Sequence, residues 1–143
     1  MWQRLKSCLG CIPFLKPVST GERGERLAAG FLQGLGYTVV ARNWRSPQDR
    51  RDEIDLVCRE GEVVVFVEVK TRAAGALVAG YHAVDTRKKK VVRRAATAYL
   101  RLLRPAPLTY RFDIVEVSVP ADGGAPEVRH YENIELFPKH FRP

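Results

Sequence analysis

Two charged residues inside an apolar run constrain this chain more than any other feature of its sequence. Residues 63–72 read VVVFVEVKTR, so Glu68 and Lys70 interrupt a segment whose β-branched and aromatic residues predict a buried strand. Burying a charge is unfavourable unless the charge is paired or bound to a metal ion. The run therefore predicts either an ion pair or a metal site within a small folded core.

The segment before this run supplies the expected partner strand. EIDLVCR (53–59) and EVVVFVEVK (62–70) flank Glu60 and Gly61, which we interpret as a two-residue hairpin loop. In that register Val57 faces Val64, and side chains alternate between the two faces of the hairpin. One face is then apolar throughout, with Ile54, Leu56, Cys58, Val63, Val65, Val67 and Val69. The other face carries at its open end four charged residues: Glu53, Asp55, Glu68 and Lys70.

Carboxylates that converge at one end of a hairpin need a counter-charge. Hard oxygen ligands suit Mg²⁺ or Mn²⁺ better than Zn²⁺, which prefers nitrogen and sulfur. An amine beside such a cation can position or deprotonate a water, or stabilise charge on a phosphate. The spacing Asp-x12-Glu-x-Lys fits this chemistry. The alternative is a salt-bridged strand end, in which Lys70 pairs with Glu68 or Asp55.

The rest of the chain predicts a single α/β domain with the element order α-β-β-β-α-β-β. Ser19 begins a capping box with Glu22 and starts a helix that runs to about Gly34. Its inward stripe continues back to Glu25, and its expected core residues are Ala28, Phe31, Leu32 and Leu35. We assign residues 1–18 to an N-terminal extension, 19–135 to the domain and 136–143 to a C-terminal tail.

The second helix carries most of the local positive charge. Asp85 or Thr86 is its expected cap, and Pro105 and Pro107 follow its expected end near Leu103. Its expected core stripe is Val91, Ala95, Ala98 and Leu102. The whole chain has 24 basic and 16 acidic residues and a net charge of +8, which favours an acidic partner such as DNA. The candidate nucleic-acid-binding residues are Arg87, Lys88, Lys89, Lys90 and Arg94, together with Arg45 and Arg72. The alternative is a solvated helix face.

The remaining features of the sequence bear on the cellular location and on other candidate sites. An odd count of cysteines, with no secretory pattern and no run of ~20 apolar residues, predicts a cytoplasmic protein without a membrane span. Cys8-x-x-Cys11 lacks the second ligand pair of a zinc site. Trp44 is expected either to stack on a base or to lie in the core. His82, His130 and His140 are scattered, and His82 is expected at the surface rather than at the site. Asp113 is expected in a structural ion pair, with Arg111 or a cation of a helix as its partner. No motif indicates a small-molecule cofactor, and a homodimer is left open.

Four blocks of the sequence carry a family resemblance: GERGERLAAGFLQGLGYTVVARNWR, EIDLV, VFVEVKTR and RFDIVEV. They resemble the YraN-type family of bacterial proteins, which is grouped with the restriction-endonuclease-like fold alongside archaeal junction resolvases. The resemblance covers roughly residues 20–135. It implies an αβββαβ core and a PD-(D/E)-x-K signature, with Asp55, Glu68 and Lys70 in the motif positions and Glu25 as the helical acid. The chain departs from the usual Gly-Glu-Ile-Asp pattern, because Asp52 precedes Glu53.

Together these observations predict a Mg²⁺- or Mn²⁺-dependent endonuclease that acts on DNA, including branched or otherwise structured DNA. Asp55 and Glu68 are the expected metal ligands, with Glu53 as a further candidate. Lys70 and Glu25 complete the expected catalytic set. The alternative is a nucleic-acid-binding or scaffold protein that has the same fold and no turnover.

Overall fold

A computed structural model describes residues 19–73, 86–138 and 141. Within them the elements follow the expected order α-β-β-β-α-β-β. They are α1 (Thr20–Gly34), β1 (Thr38–Arg45), β2 (Glu53–Glu60), β3 (Val63–Ala73), α2 (Thr86–Leu102), β4 (Tyr110–Val119) and β5 (Glu127–Tyr131). Some sequence-based predictions lie outside the described residues: the N-terminal extension with Cys8 and Cys11, the Asp85 cap, His82 and His140.

The strands form one mixed sheet in the order β1-β2-β3-β4-β5. Neighbouring strands are antiparallel except β3 and β4, which are parallel and are separated in the chain by α2. Parallel neighbours need a crossover connection, and the segment containing α2 provides it. The prediction of a mixed α/β sheet flanked by helices, with a restriction-endonuclease-like core, is confirmed.

Helix α1 begins and ends as its sequence predicts. The Ser19 hydroxyl accepts from the Glu22 backbone N–H, and the Glu22 carboxylate accepts from the Ser19 backbone N–H at 2.9 Å, so the capping box is complete. Ala28 and Leu32 are buried as expected. Leu35 is not a core residue: it is 56% exposed, because it follows the last helical turn and Gly36 then turns the chain with a φ of 94°.

Helix α2 is rotated relative to the sequence-based prediction. Its buried residues are Val92, Ala95, Ala96 and Leu100, whereas Leu102 is 56% exposed. Adjacent valines and repeated alanines allow two nearly equivalent stripes, and only packing on the sheet chooses between them. The chosen stripe includes the position four residues before Val92, which is Lys88. The rotation therefore brings Lys88 onto the side of α2 that faces the sheet.

The two faces of the sheet hold separate hydrophobic clusters. On the α1 side lie Ala28, Ala29, Leu32, Tyr37, Leu56, Cys58, Val65, Val67, Val115 and Val117. On the α2 side lie Ile54, Val57, Val64, Phe66, Val92, Ala95, Ala96, Leu100, Phe112, Ile114 and Leu136. The prediction that Ile54 shares a face with Leu56 is wrong. Ile54 and Val57 lie on the same side, so strict alternation breaks between them.

Two further positions refine the outline of the domain. Trp44 packs edge-on against Tyr99 with ring centroids 5.2 Å apart, which places it in the core rather than on a stacking surface. Leu136 is buried in the α2-side cluster, so packing extends into the segment that the sequence assigned to the tail.

Among the described helices, none is long and apolar enough to cross a membrane.

Candidate active site

The β2–β3 hairpin has a different register from the one expected. Glu60 pairs with Val63, and Val57 pairs with Phe66 rather than with Val64. The loop is therefore Gly61–Glu62, and Gly61 has a φ of 55°, a conformation that glycine adopts without strain. A shift of two residues preserves the alternation of faces within the paired ladder from Leu56–Val67 to Glu60–Val63, and Ile54 lies beyond it. The paired ladder ends at Leu56–Val67, and Asp55 and Glu68 are the next residues on their strands.

Asp55 is held at the point where the two strands separate. The Val69 backbone N–H donates to Asp55 Oδ2 at 2.8 Å. Burial and the neighbouring Glu68 carboxylate raise the pKa of Asp55 to about 7, although the Val69 hydrogen bond and the Lys88 ammonium oppose this. The two carboxylates thus lie close enough to interact strongly.

Glu68 is the most deeply buried acid of this group. It is 2% exposed, and its two oxygens face two different ammonium groups: Lys70 Nζ lies 2.9 Å from Oε1, and Lys88 Nζ lies 3.1 Å from Oε2. The Lys88 distance makes an ion pair. Apart from this ion pair, Oε2 has no hydrogen-bond partner among the described residues. Oε2 is therefore a buried acceptor with remaining capacity for a ligand.

Lys88 belongs to this site and not to the outer face of α2. Burial by itself would lower the pKa of Lys88, but the carboxylates of Glu68, Asp55 and Glu53 outweigh burial and hold the pKa above its ordinary value. Its side chain is 34% exposed, so it is only partly buried. The sequence grouped Lys88 with its cationic neighbours because a run of three lysines gives no sign of which one faces inward.

Glu25 reaches the site from α1. Its carboxylate is one of the charges that raise the pKa of Asp55. Asn43 Nδ2 donates to Glu25 Oε2 at 2.9 Å and fixes the direction of that side chain. Asn43 has a φ of 47°, which asparagine tolerates better than most residues. Sequence reasoning missed Asn43; an asparagine within a strand, where that residue is uncommon, was the available signal.

Glu53 does not join the other acids in the same way. Its Oε2 lies 2.9 Å from Arg45 Nη2, so the pair ties the end of β1 to the start of β2. This contact occupies Arg45, one of the candidate nucleic-acid-binding residues. Glu53 still contributes negative charge near Lys88.

The donor set fits a hard divalent cation. Mg²⁺ is commonly held by one or two carboxylates and keeps several of its waters. Asp55 and Glu68 offer two carboxylates, with the buried Oε2 of Glu68 as an acceptor. Within residues 19–73 and 86–138, no group of three or more His, Cys, Asp or Glu is arranged to hold a metal ion. A cation held by Asp55 and Glu68 alone would take its remaining ligands from water.

The basic residues divide into exposed and paired ones. Arg87 and Lys90 are exposed on α2, and Lys89 is half-buried in a groove that Leu136 and Phe137 also line. Arg94 forms a two-pronged ion pair with Asp52, in which Nη2 lies 2.6 Å from Oδ1 and Nε lies 3.0 Å from Oδ2. Asp52 is 5% exposed, so the residue that departs from the family pattern anchors α2 to the loop before β2.

The remaining cations are Arg72 on β3 and those of a groove beside α2. Arg72 Nε lies 3.4 Å from Glu116 Oε1, close enough for charge pairing, but Nε makes no hydrogen bond of good geometry with a described residue. A groove of about 380 Å³ separates α2 from the loop before β2. Its basic lining residues are Arg93, Arg94 and Arg101.

A second polar cluster lies on the α1 side of the sheet. Asp113 is fully buried and accepts from Arg111 Nε at 3.0 Å and from the Asn133 backbone N–H at 2.9 Å. His130 Nε2 lies 2.9 Å from Asp113 Oδ2, and its side chain is 7% exposed. The ion pair predicted for Asp113 is confirmed, and its partner is Arg111 rather than a cation of a helix. The contact with the buried Asp113 carboxylate holds the His130 ring inward.

The comparisons with known proteins agree with the motifs. A model of the family described as "Uncharacterised protein family UPF0102" matches residues 24–117, which include Glu25, Asp55, Glu68 and Lys70. A UPF0102 protein of Porphyromonas gingivalis is 39% identical over 113 residues, covering 79% of this chain and 81% of the relative. One of Symbiobacterium thermophilum is 45% identical over 103 residues, covering 72% and 85%. One of Geobacter metallireducens is 36% identical over 115 residues, covering 80% and 90%.

Proposed function

This chain belongs to the uncharacterised protein family UPF0102, the YraN-type family that its motifs predicted, and we propose that it is a divalent-metal-dependent endonuclease that acts on DNA. One observation carries the proposal. Asp55 and Glu68 meet at the open end of the β2–β3 hairpin, and the Lys70 ammonium lies 2.9 Å from Glu68 Oε1. Two carboxylates and one amine in such an arrangement suit metal-dependent phosphodiester hydrolysis.

Asp55 and Glu68 would hold the cation. Mg²⁺ or Mn²⁺ in that position would supply an acidified water and neutralise charge on a phosphate oxygen. Asp55 is oriented by the Val69 backbone, and Glu68 by Lys70. Both acids therefore point in a fixed direction before substrate arrives, which lowers the cost of organising the reaction.

Lys70 and Glu25 act on the reacting groups around these acids. The Lys70 side chain is 26% exposed, so its ammonium can contact a phosphate oxygen or the attacking water while it stays beside Glu68. Glu25, directed by Asn43, lies on the α1 side of the same opening and can accept a hydrogen bond from that water. Positive charge next to a phosphate favours the more negative transition state.

The basic surface supports DNA as the substrate class. Arg87 and Lys90 are exposed near the start of α2, and the groove with Arg93 and Arg101 lies further along the helix. Lys88 and Arg101 are thirteen residues apart, which is about 20 Å of helix and about six phosphates of one DNA strand. A duplex whose backbone followed α2 would bring a phosphate to Lys88 and the acids beside it.

A second reading competes with the enzyme. Both oxygens of Glu68 face ammonium groups, which is also what a structural ion-pair cluster at a strand end looks like. In that reading the protein binds nucleic acid through α2 and cuts nothing. The two readings differ in whether Asp55 and Lys70 matter for turnover.

The test is a labelled panel of linear, flapped, forked and four-way DNA, incubated with Mg²⁺ or Mn²⁺. We expect the wild-type protein to cut at least one of these DNAs. Asp55→Asn and Lys70→Ala should each lower cleavage by at least about 100-fold, the effect of losing one preorganised electrostatic group. Asp122→Asn, a matched loss of charge at an exposed turn, should cut like wild type.

Two results would contradict the proposed endonuclease activity. One is a wild-type protein that cuts no member of the panel. The other is an Asp55→Asn variant that cuts as well as wild type. DNA binding should be measured in parallel, because Asp55→Asn removes a repulsion of the phosphates and should leave the affinity level or higher.

A further inference from the structure

Lys88 differs from the cations next to it in where its ammonium lies. Arg87 and Lys90 are exposed on α2, and Lys89 lines a groove beside Leu136 and Phe137. Lys88 Nζ lies 3.1 Å from Glu68 Oε2, the buried oxygen that receives no hydrogen bond of good geometry from a described residue. The ammonium thus occupies the side of Glu68 that Lys70 does not.

Lys88 also lies in the field of more than one acid. The carboxylates of Asp55 and Glu53 attract it in addition to Glu68. Asp55 and Glu68 are the same two groups that would hold a divalent cation. An ammonium and a metal ion that share a carboxylate repel each other, so each lowers the affinity of the other.

From this contact, and resting on the proposed function, we infer that Lys88 competes with the divalent cation for Glu68. When the cation takes Oε2, the Lys88 ammonium moves off the carboxylate and binds a phosphate of the DNA. Lys88 thereby links metal binding to substrate binding through one side chain. Without DNA, Lys88 lowers the affinity of the site for the cation. When cation and DNA are both bound, the contact between Lys88 and a phosphate stabilises the complex.

The position of Lys88 on α2 is compatible with this exchange. Lys88 lies three positions into the described α2, and its side chain is 34% exposed, so the ammonium can reach solvent by rotation about its own bonds. Arg87 and Lys90 are exposed beside it and provide the positive surface to which a DNA backbone would come. The movement needs no change in the backbone of α2.

The first test measures metal affinity without DNA. Mn²⁺ is titrated into wild type, Lys88→Met, Lys88→Arg and Lys90→Met and followed by calorimetry and by the loss of the free Mn²⁺ resonance signal. We expect Lys88→Met to bind Mn²⁺ roughly tenfold more tightly, the factor that one unit charge a few ångströms from a divalent ion makes in a water-like dielectric. Lys88→Arg, which keeps the charge, should stay close to wild type.

Lys90→Met is the matched control for metal binding, because it removes the same charge from the exposed face of α2. It should change Mn²⁺ affinity by less than about twofold, since salt screens exposed charges at that range. If Lys88→Met binds Mn²⁺ no more tightly than Lys90→Met does, the proposed competition between Lys88 and the cation is wrong. If wild type binds no Mn²⁺ at all, the metal site itself fails, and the competition fails with it.

The second test separates the two roles of Lys88. DNA affinity is measured with Ca²⁺, which takes the same oxygen ligands, and again with a chelator. Lys88→Met should lose about fivefold more affinity with Ca²⁺ than with the chelator, the value of one ammonium–phosphate contact. Lys90→Met should lose the same amount in both. An equal loss for Lys88→Met in the two conditions would overturn the exchange, even where the metal competition holds.

Discussion

The side chain of Asp55 and the backbone of Val69 are joined by a hydrogen bond of 2.8 Å, which ties β2 to β3 between Glu68 and Lys70. The bond holds Asp55 of β2 against Val69, the residue of β3 that lies between Glu68 and Lys70. Asp55, which is thirteen residues before Glu68 in the chain, is thereby brought beside Glu68 and Lys70. The contact is therefore expected to affect both the stability of the fold and the binding of a metal ion, and substitutions of Asp55 can separate these two effects.

Substitutions of Asp55 should divide stability from metal binding. Asp55→Asn keeps a side-chain oxygen that can accept from Val69, so this variant should melt at or above the wild-type temperature while losing Mn²⁺ binding. Asp55→Ala should lose Mn²⁺ binding as well, and it should cost about 1–3 kcal/mol because a partly buried N–H loses its acceptor. Calorimetric melting and Mn²⁺ titration check both. Wild-type Mn²⁺ affinity in Asp55→Asn would contradict the assignment of Asp55 as a ligand.

The close approach of α1 to β3 makes Gly24 sensitive to size. A Cβ atom at Gly24 would lie 1.8 Å from Thr71 Oγ1 and 2.9 Å from Thr71 Cβ, so Gly24→Ala must push α1 away from the strand. We expect a loss of about 1–3 kcal/mol from overpacking. Cleavage should fall as well, because the next residue of α1 is Glu25.

Gly30 is the matched control in the same helix. A Cβ at Gly30 meets no atom within 4 Å, so Gly30→Ala should gain up to about 1 kcal/mol through helix propensity and leave cleavage unchanged. Denaturant midpoints of the two variants give the comparison. A Gly24→Ala protein as stable as Gly30→Ala would show that α1 is not held against Thr71.

The exposed face of α2 should set the salt dependence of DNA binding. The variant to use is Arg87→Ala with Lys90→Ala and Arg101→Ala, because Arg94 pairs with the buried Asp52 and its removal would also weaken the fold. If these side chains bind phosphates, the slope of log affinity against log salt should shrink by about 0.9 for each lost contact. An unchanged slope in this triple variant would mean that the face is only solvated.

The buried Asp113 should govern stability in acid. Burial by itself would raise the pKa of Asp113, but hydrogen bonds involving His130, Arg111 and the Asn133 backbone hold it below its ordinary value of 3.8. A carboxyl with a lowered pKa binds fewer protons when folded, so its contribution is complete above the ordinary pKa and is lost as pH falls through the folded pKa. Wild-type stability should therefore drop steeply below about pH 4.

Asp113→Asn should be less stable at pH 7 and lose less on acidification, since the group that titrates is gone. Urea midpoints from pH 7 to about pH 3 measure this difference. Asp122→Asn, at an exposed turn, should follow the wild-type curve. A parallel acid decline in Asp113→Asn and wild type would assign the acid sensitivity to other carboxylates.

Much of this architecture could be predicted from local sequence patterns. The capping box of Ser19 and Glu22 marked the start of α1, and alternating β-branched residues marked β2 and β3. The motif residues Asp55, Glu68 and Lys70 were likewise visible, because charges within an apolar strand are costly and need an explanation. These features depend on neighbours within a few residues, and such short-range preferences are written directly in the sequence.

Contacts between distant segments were decided only by the tertiary structure. The hairpin shifted by two residues because Gly61 took the first loop position, and packing of Val92 on the sheet turned Lys88 toward Glu68. The bond from Asn43 to Glu25 joins residues that only the folded sheet brings together. A repeated lysine or a pair of adjacent valines leaves several helix rotations nearly equal in energy. The sheet against which the helix packs selects one of them, and that choice places the second ammonium beside Glu68.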